Sequence, residues 1–249
     1  MAEKAVRIGT SGIVLPGNKP TFPEAFRNAS RLNYYSPLFN SLEINSTFYK
    51  IPLATTFNKW ANEVSDNFTL TVKLWRGVTH AKDLIYSQAD IINFIKSASD
   101  VNSKAGCLLI QFPASVDVKF IRQVEAILIS IQQLNSQSQW QLAVEFRHTS
   151  WYQASIYDLL HSYSSALVIH DMPNSTTPID YEPDRLAYLR FHGPTGMYNG
   201  SYSDDLISQQ VKRIKHWQKQ GKEIYIYFNN TMGDAFKNAQ LLKELTEAD

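Results

Sequence analysis

The stretch Gln141–Trp151, QLAVEFRHTSW, opens with β-favouring apolar residues and closes on charge. A strand sends alternate side chains to opposite faces, so Ala143, Glu145 and Arg147 share one face and Leu142, Val144 and Phe146 the other. One face is apolar throughout. The other passes from small to charged as the strand ends. A strand covered by helices on one side and lining a pocket at its carboxyl end has this pattern.

The same design recurs on both sides of that stretch. Strand-like runs at Ala5–Gly9, Ser41–Phe48, Phe68–Trp75 and Cys107–Phe112 precede it, and runs at Ala166–His170, Leu186–Phe191 and Glu223–Phe228 follow. Helical stretches fall between them, around Phe22–Leu32, Thr55–Val64, Tyr86–Asn102, Val118–Leu134, Gln153–Tyr163, Ser203–Gly221 and Gly233–Glu247. Strand–helix alternation implies parallel strands joined by right-handed crossovers. Eight units predict an α/β fold, a single (β/α)8 TIM-type barrel over residues 1–249. One connection breaks the pattern: NSTTPIDYEPD, between strands six and seven, carries Pro178 and Pro183 and leaves little room for a helix.

Composition narrows the function classes. At 44% hydrophobic and 19% charged residues the balance is that of a globular protein. A formal net charge of +1 advertises no extended nucleic-acid footprint. The single Cys107 sits in the apolar run CLLIQF and reads as a small buried residue rather than a nucleophile. MAEKAVRIGT has no apolar signal core, and no run of about 18 apolar residues exists, so a cytoplasmic protein without a membrane span is expected.

In a barrel of this kind the reactive groups come from strand ends and the loops after them. Alternation places Glu43, Asn45, Thr69, Thr71, Lys73, Trp75, Gln111, Glu145, Arg147, Tyr188, Arg190, His192, Tyr225, Tyr227 and Asn229 inward, and Ser11 with them if Arg7 and Gly9 share its face. The sixth strand allows either His170 or Asp171. Buried charges are costly unless paired, so the charged members neutralise one another or await a ligand. A structural ion-pair lattice explains any single one of them. So many charges at one level, where barrels carry branched apolar residues, favour a site.

These inward positions fall within ordered motifs. RIGTSG, SLEINSTFY, a lysine-bearing third strand leading to THAKD, LLIQFP, AVEFRHTSW, YLRFHG and YIYFNNT together resemble the domain-of-unknown-function family 72, also called YecE-like. The resemblance covers essentially the whole chain. It implies a (β/α)8 barrel and brings no established activity. The segment after the first motif, IVLPGNKP, departs from the aromatic-rich one usual in the family, which puts that loop's contribution in question.

Three chemistries suit the ring. Arg147, Arg190 and Lys73 could converge on one anionic group, since guanidinium forks match carboxylate and phosphate oxygens. Lys73 would either pair with Glu43 or Glu145, the favoured reading, or be crowded by the arginines into a base or Schiff-base amine. Glu43 and Glu145 would transfer protons, with Glu145–His192 and Glu43–Lys73 as the pairings to expect. Glu145, Asp171, His170 and His192 could serve as metal ligands, although no HExxH or paired Cys/His cluster occurs. His80 either reaches the pocket from its loop or starts a helix, His148 is structural or rim, and His161 and His216 lie on the surface. Trp75, Trp151, Tyr49, Tyr198 and Tyr202 form either a stacking rim or packing. Of Asn229 and Asn230, one should face substrate and the other tie down its loop.

The sequence therefore leads to an enzyme with no cofactor and no metal, a hydrolase, lyase or isomerase acting on a small anionic substrate, phosphorylated or carboxylated. Glu43, Glu145, His192 and Lys73 would be catalytic. Arg147, Arg190, Asn45, Gln111, Asn229, Asp171, Ser11 and His80 would bind substrate. A nucleic-acid-binding protein or a metal-dependent phosphodiesterase using the same pocket is the alternative.

Overall fold

The computed structural model describes residues 5–135 and 139–248. Eight parallel strands lie in one sheet: β1 (Val6–Thr10), β2 (Ser41–Ile44), β3 (Thr69–Lys73), β4 (Ala105–Phe112), β5 (Gln141–Phe146), β6 (Ser165–His170), β7 (Leu186–Phe191) and β8 (Glu223–Phe228). Their order, β1-β8-β7-β6-β5-β4-β3-β2, returns to its start through a parallel bridge between Ser11 and Glu43. The helices packed outside are α1 (Arg31–Tyr35), α2 (Ser46–Tyr49), α3 (Ala54–Asn62), α4 (Arg76–Thr79), α5 (Gln88–Ala98), α6 (Ile121–Leu134), α7 (Ala154–Ser162), α8 (Asp204–Lys219) and α9 (Ala235–Glu247). The chain is a (β/α)8 barrel. No helix among the described residues is long and apolar enough to cross a membrane.

Side-chain alternation splits the core in two. Leu108, Ile110, Phe112, Leu142, Val144, Phe146, Leu189, Ile226 and Phe228 point out to the helices. Cys107, Leu109, Ala143, Val168, Leu186, Tyr188, Tyr225 and Tyr227 fill the interior as a separate cluster. The Tyr227 hydroxyl meets Ser41 Oγ at 2.6 Å and Thr71 Oγ1 at 2.7 Å, so the interior layer under the strand ends is polar yet paired.

The β1–β2 seam is closed mainly by side chains. Asn40 accepts from Ile8 N and donates to Val6 O, both at 2.8 Å, and Tyr35 OH accepts from Thr10 N at 2.7 Å. Gly9 is required there, because a Cβ would stand 2.0 Å from Ser41 O.

Three local readings need correction. The helix expected around Phe22–Leu32 is replaced by short turns at Lys19–Thr21 and Glu24–Phe26, and α1 begins only at Arg31, where Ser30 Oγ accepts from Asn33 N. Pro20 and Pro23 deny a helix backbone donors in that stretch. The second strand ends at Ile44 rather than Phe48, because Asn45 turns to helical angles and starts α2. Thr47 Oγ1 then lies 2.9 Å from Ile44 O and 2.7 Å from Lys73 O, and accepts from Lys73 N at 3.1 Å, which fixes the ends of β2 and β3 to each other. The third strand ends at Lys73, and Trp75 caps α4 instead of facing the interior. The connection between β6 and β7 holds no helix, as its prolines required.

Candidate active site

Above the tyrosine layer, at the carboxyl ends of the strands, lies an open cavity of 350 Å³. Ser11, Asn45, Lys73, Arg147, Arg190 and Asn229 line its polar part, and Phe48, Tyr49, Tyr198, Thr231 and Met232 its mouth. Tyr49 is 68% exposed and Met232 69%, so the mouth presents apolar surface over a cationic floor. Tyr198 is held there by backbone bonds to His192 O and from Met232 N, each 2.9 Å.

Both expected proton-transfer carboxylates lie behind the floor. Glu43 is 0% exposed; Oε1 accepts from Ser11 Oγ at 2.5 Å and Arg190 Nη2 at 2.8 Å, and Oε2 from Tyr188 OH at 2.5 Å. Glu145 is equally buried, with Oε1 bonded by Arg147 Nε and Oε2 by Arg190 Nη1 at 2.6 Å. Burial alone would raise the Glu145 carboxyl, but Arg147 and then Arg190 hold it well below the usual carboxylate range. A carboxylate so tightly engaged is a poor base. Neither carboxylate reaches the cavity wall.

His192 is likewise displaced from its expected place. Its ring is 0% exposed, and Nε2 lies 2.8 Å from Arg147 Nη2 and 3.3 Å from Arg190 Nη1. A guanidinium can only donate, so Nε2 is the acceptor and Nδ1 carries the proton, 3.3 Å from Asp171 Oδ1. Burial lowers the pKa of His192, which keeps the ring in that neutral form. Asp171 also accepts from His192 N at 2.7 Å and from Tyr202 OH. Burial opposes its ionisation, but these hydrogen bonds hold its pKa below the ordinary value. The result is a relay of supports, Tyr202–Asp171–His192–Arg147, that orients a guanidinium. The pairing of His192 with Glu145 does not form; the arginines stand between them.

Lys73 departs furthest from expectation. Among the described residues no carboxylate lies within ion-pair distance of Nζ, which sits 4.1 Å over the Phe48 ring. Desolvation first, then repulsion from Arg190, pushes its pKa down to about 7, against smaller opposing effects of Glu145 and Glu43. The favoured pairing with Glu43 fails because Arg190, with two donors and a fixed fork, occupies both carboxylates.

The remaining positions divide. Asn45 Oδ1 and Arg190 Nε are buried without partners at the cavity. Asn229 lines the cavity, while Asn230 Nδ2 donates to Gly200 O at 2.9 Å and Asn238 Oδ1 at 3.0 Å and ties down its loop. Gln111 is buried opposite Glu145 in the β4–β5 register, away from the wall. His80 also stays off the wall, packed edge-on against Phe48 at 4.8 Å, with burial and then Lys73 lowering its pKa to about 4. His170, not Asp171, ends β6 and points inward, its Nε2 3.0 Å from Phe146 O.

Among the aromatics, Trp151 stacks on Phe146 at 4.2 Å and Tyr202 supports Asp171, so both are packing residues. Tyr49 and Tyr198 form rim. Phe48, Thr231 and Met232 were not anticipated. Phe48 hides in the misread end of β2, Thr231 closes the last motif and Met232 follows it. His161 pairs with Asp184 on the surface at 3.1 Å.

Among the described residues the wall thus carries three basic side chains and no carboxylate, which suits an anion. Among the described residues no group of three or more His, Cys, Asp and Glu side chains could hold a metal. Glu145, Asp171 and His192 are instead bonded to arginines, a tyrosine and each other.

Comparison with known proteins places these residues in a family. The model of the family described as "Protein of unknown function DUF72" matches residues 7–249. The UPF0759 protein YunF of Bacillus subtilis (strain 168) is 24% identical, over 92% of this chain and 90% of its own. A DUF72 family protein of Enterococcus faecalis V583 superposes with a TM-score of 0.81 at 20% identity, over 98% of this chain and 96% of that one. Another, from Thermotoga maritima MSB8, gives 0.76 at 26% identity, over 97% and 99%.

Proposed function

The chain belongs to the DUF72 family, and we propose that it is an enzyme acting on a small phosphorylated or carboxylated substrate, bound at the carboxyl ends of the strands. The observation that carries this reading is the one-sided distribution of charge: Lys73, Arg147 and Arg190 face the cavity while Glu43 and Glu145 lie behind it. Arg190 Nε and Asn45 Oδ1 are buried polar atoms without partners, and such groups are costly until a ligand or water satisfies them. The guanidinium donors not already engaged by Glu43, Glu145 and His192, Arg190 Nε among them, hold the anionic group. Ser11, Asn45 and Asn229 orient the rest.

Acid–base work falls to Lys73. With a pKa of about 7 it exchanges protons near neutrality, as a general base or acid must. Proton abstraction next to a carbonyl, as in lyases and isomerases, fits one such group beside an anion clamp. The test has two parts. Calorimetric titration with inorganic phosphate should show binding that Arg147→Gln weakens at least tenfold. Phosphorylated and carboxylated carbonyl compounds incubated in heavy water should exchange carbon-bound hydrogen, and Lys73→Met should abolish the exchange. No binding of phosphate or simple carboxylates at millimolar concentration would end the reading.

A further inference from the structure

Which group on the cavity wall can form a bond to substrate? Among the described residues Lys73 is the only amine there, and the wall carries no thiol, carboxylate or imidazole. Ser11 and Thr231 are the aliphatic hydroxyl candidates, beside the phenols of Tyr49 and Tyr198 at the mouth. Ser11 directs its proton to Glu43 Oε1, which already accepts from Arg190, so the serine lacks an effective base. Lys73 is differently placed. Thr47 clamps its backbone on both sides, its Nζ lies over the Phe48 ring, and among the described residues Nζ has neither a hydrogen bond nor an ion pair. A lysine held only by an aromatic face and crowded by two guanidinium groups is an amine kept available.

Resting on the anion-site reading above, we propose that Lys73 is a covalent catalyst whose amine forms an imine with a small aldehyde or ketone bearing a phosphate or carboxylate. The bonding is as follows. Uncharged Nζ adds to the carbonyl carbon, the C=O π pair goes to oxygen, and a proton passes from nitrogen to that oxygen. Protonation of the resulting hydroxyl by solvent in the open cavity lets it leave as water, and the nitrogen lone pair closes the C=N bond. One carbonyl, one amine and one proton thus give one protonated imine and one water, with no oxidant or reductant. The protonated imine withdraws electrons from the neighbouring carbon and eases the loss of a proton or a carbon fragment there. The depressed pKa of Lys73 makes the attacking form abundant at neutrality.

The anion must not neutralise this. A phosphate lying against Nζ would hold the proton on it. The productive arrangement therefore puts the anion on Arg147 and Arg190 and the carbonyl one or two bonds away, under Lys73. This makes the site selective for a carbonyl close to its charged group. Inorganic phosphate, free to settle against Nζ, is a competitor.

The experiment compares glycolaldehyde phosphate with glycolaldehyde on the full chain at pH 7.5, with borohydride reduction and peptide mapping by mass spectrometry. The chain's other lysines serve as internal references. Lys73 should be labelled at least tenfold faster than any of them by the phosphorylated aldehyde, and without that preference by glycolaldehyde. Inorganic phosphate should suppress the label. Arg147→Gln should reduce labelling tenfold or more without abolishing it. Labelling spread evenly over the lysines, while calorimetry still shows phosphate binding, would refute the imine and leave the anion site standing. Absence of both would remove the two readings together. Because the map is made on the unaltered chain, the result does not depend on a variant that folds poorly.

Discussion

Arg190 is the keystone of the buried charge, and replacing it with methionine gives the sharpest test of that arrangement. Its guanidinium bonds Glu145 Oε2 at 2.6 Å and Glu43 Oε1 at 2.8 Å, and all three side chains are no more than 1% exposed. Removing one partner of a buried ion pair strands the other charge, at a cost of about 3–5 kcal/mol. Two carboxylates are stranded here, but neither loses everything: Glu145 keeps Arg147, and Glu43 keeps Ser11 and Tyr188. The loss should therefore stay near about 4 kcal/mol rather than double. For a domain of this size each kcal/mol moves the melting temperature by roughly 2–4 °C, so R190M should melt about 8–16 °C lower.

The stranded charges give R190M two further features. In R190M Glu145 faces one arginine instead of two, so the deficit should shrink as the pH falls towards about 4 and protonation discharges it. Glu145→Gln should destabilise the parent, where it leaves Arg147 and Arg190 short of a counter-charge, and partly rescue R190M. Urea unfolding of the four proteins measures the cycle. A loss below about 1 kcal/mol, the scale of an exposed pair, with no rescue, would show that Arg190 is solvated and the network is not a buried one.

Other expectations follow from single contacts. Below pH 7 the folded and unfolded chains both carry the Lys73 charge, and the folded one suffers its desolvation. Between about 7 and roughly 10.4 only the unfolded chain keeps the proton, so stability rises with pH over that window. Lys73→Met should accordingly be the more stable protein at pH 6 in thermal melts, with an advantage that fades towards pH 10; a pH-independent difference would contradict the depressed pKa. His192→Phe removes the acceptor that orients Arg147, a charge-assisted bond worth about 1.5–3 kcal/mol, so phosphate affinity by calorimetry should fall tenfold or more while the fold persists. Unchanged affinity would show that Glu145 alone positions Arg147. Asn40→Ala strips two backbone groups of their partner at the β1–β2 seam and should cost about 2–4 kcal/mol in urea unfolding, whereas a loss within error would mean the strands close without it.

The barrel was legible because its signal is repeated. Leu142, Val144 and Phe146 against Ala143, Glu145 and Arg147 is a period-two pattern that tertiary packing had no reason to override, and strands seven and eight repeat it. Boundaries were legible only where chemistry marks them. Ile44 ends its strand because Thr47 competes for the backbone, and nothing in the polarity of SLEINSTF marks that competition. At the site, alternation placed Ser11, Lys73, Arg147, Arg190 and Asn229 on the wall because they lie on strands or just beyond them. Pairing was not legible, since it depends on which donor reaches a carboxylate first across the barrel. Lys73 lost Glu43 to Arg190, which comes from the opposite strand and meets both carboxylates with one planar group.

That competition also explains why so many acids stand behind a cavity whose wall carries cations. Three positive groups around one cavity repel one another, and each is poorly solvated there. Glu43 and Glu145 stabilise the two arginines from behind, and His192 spends its lone pair on Arg147. The guanidinium groups are thereby fixed in the unliganded chain, and an anion of the proposed kind would not bear the cost of ordering them. Lys73 is left outside this scheme, held by an aromatic ring that cannot neutralise it. A fully compensated lattice would have paired it as well. Leaving one amine unpaired lowers stability, a cost for which the proposed covalent role of Lys73 would account.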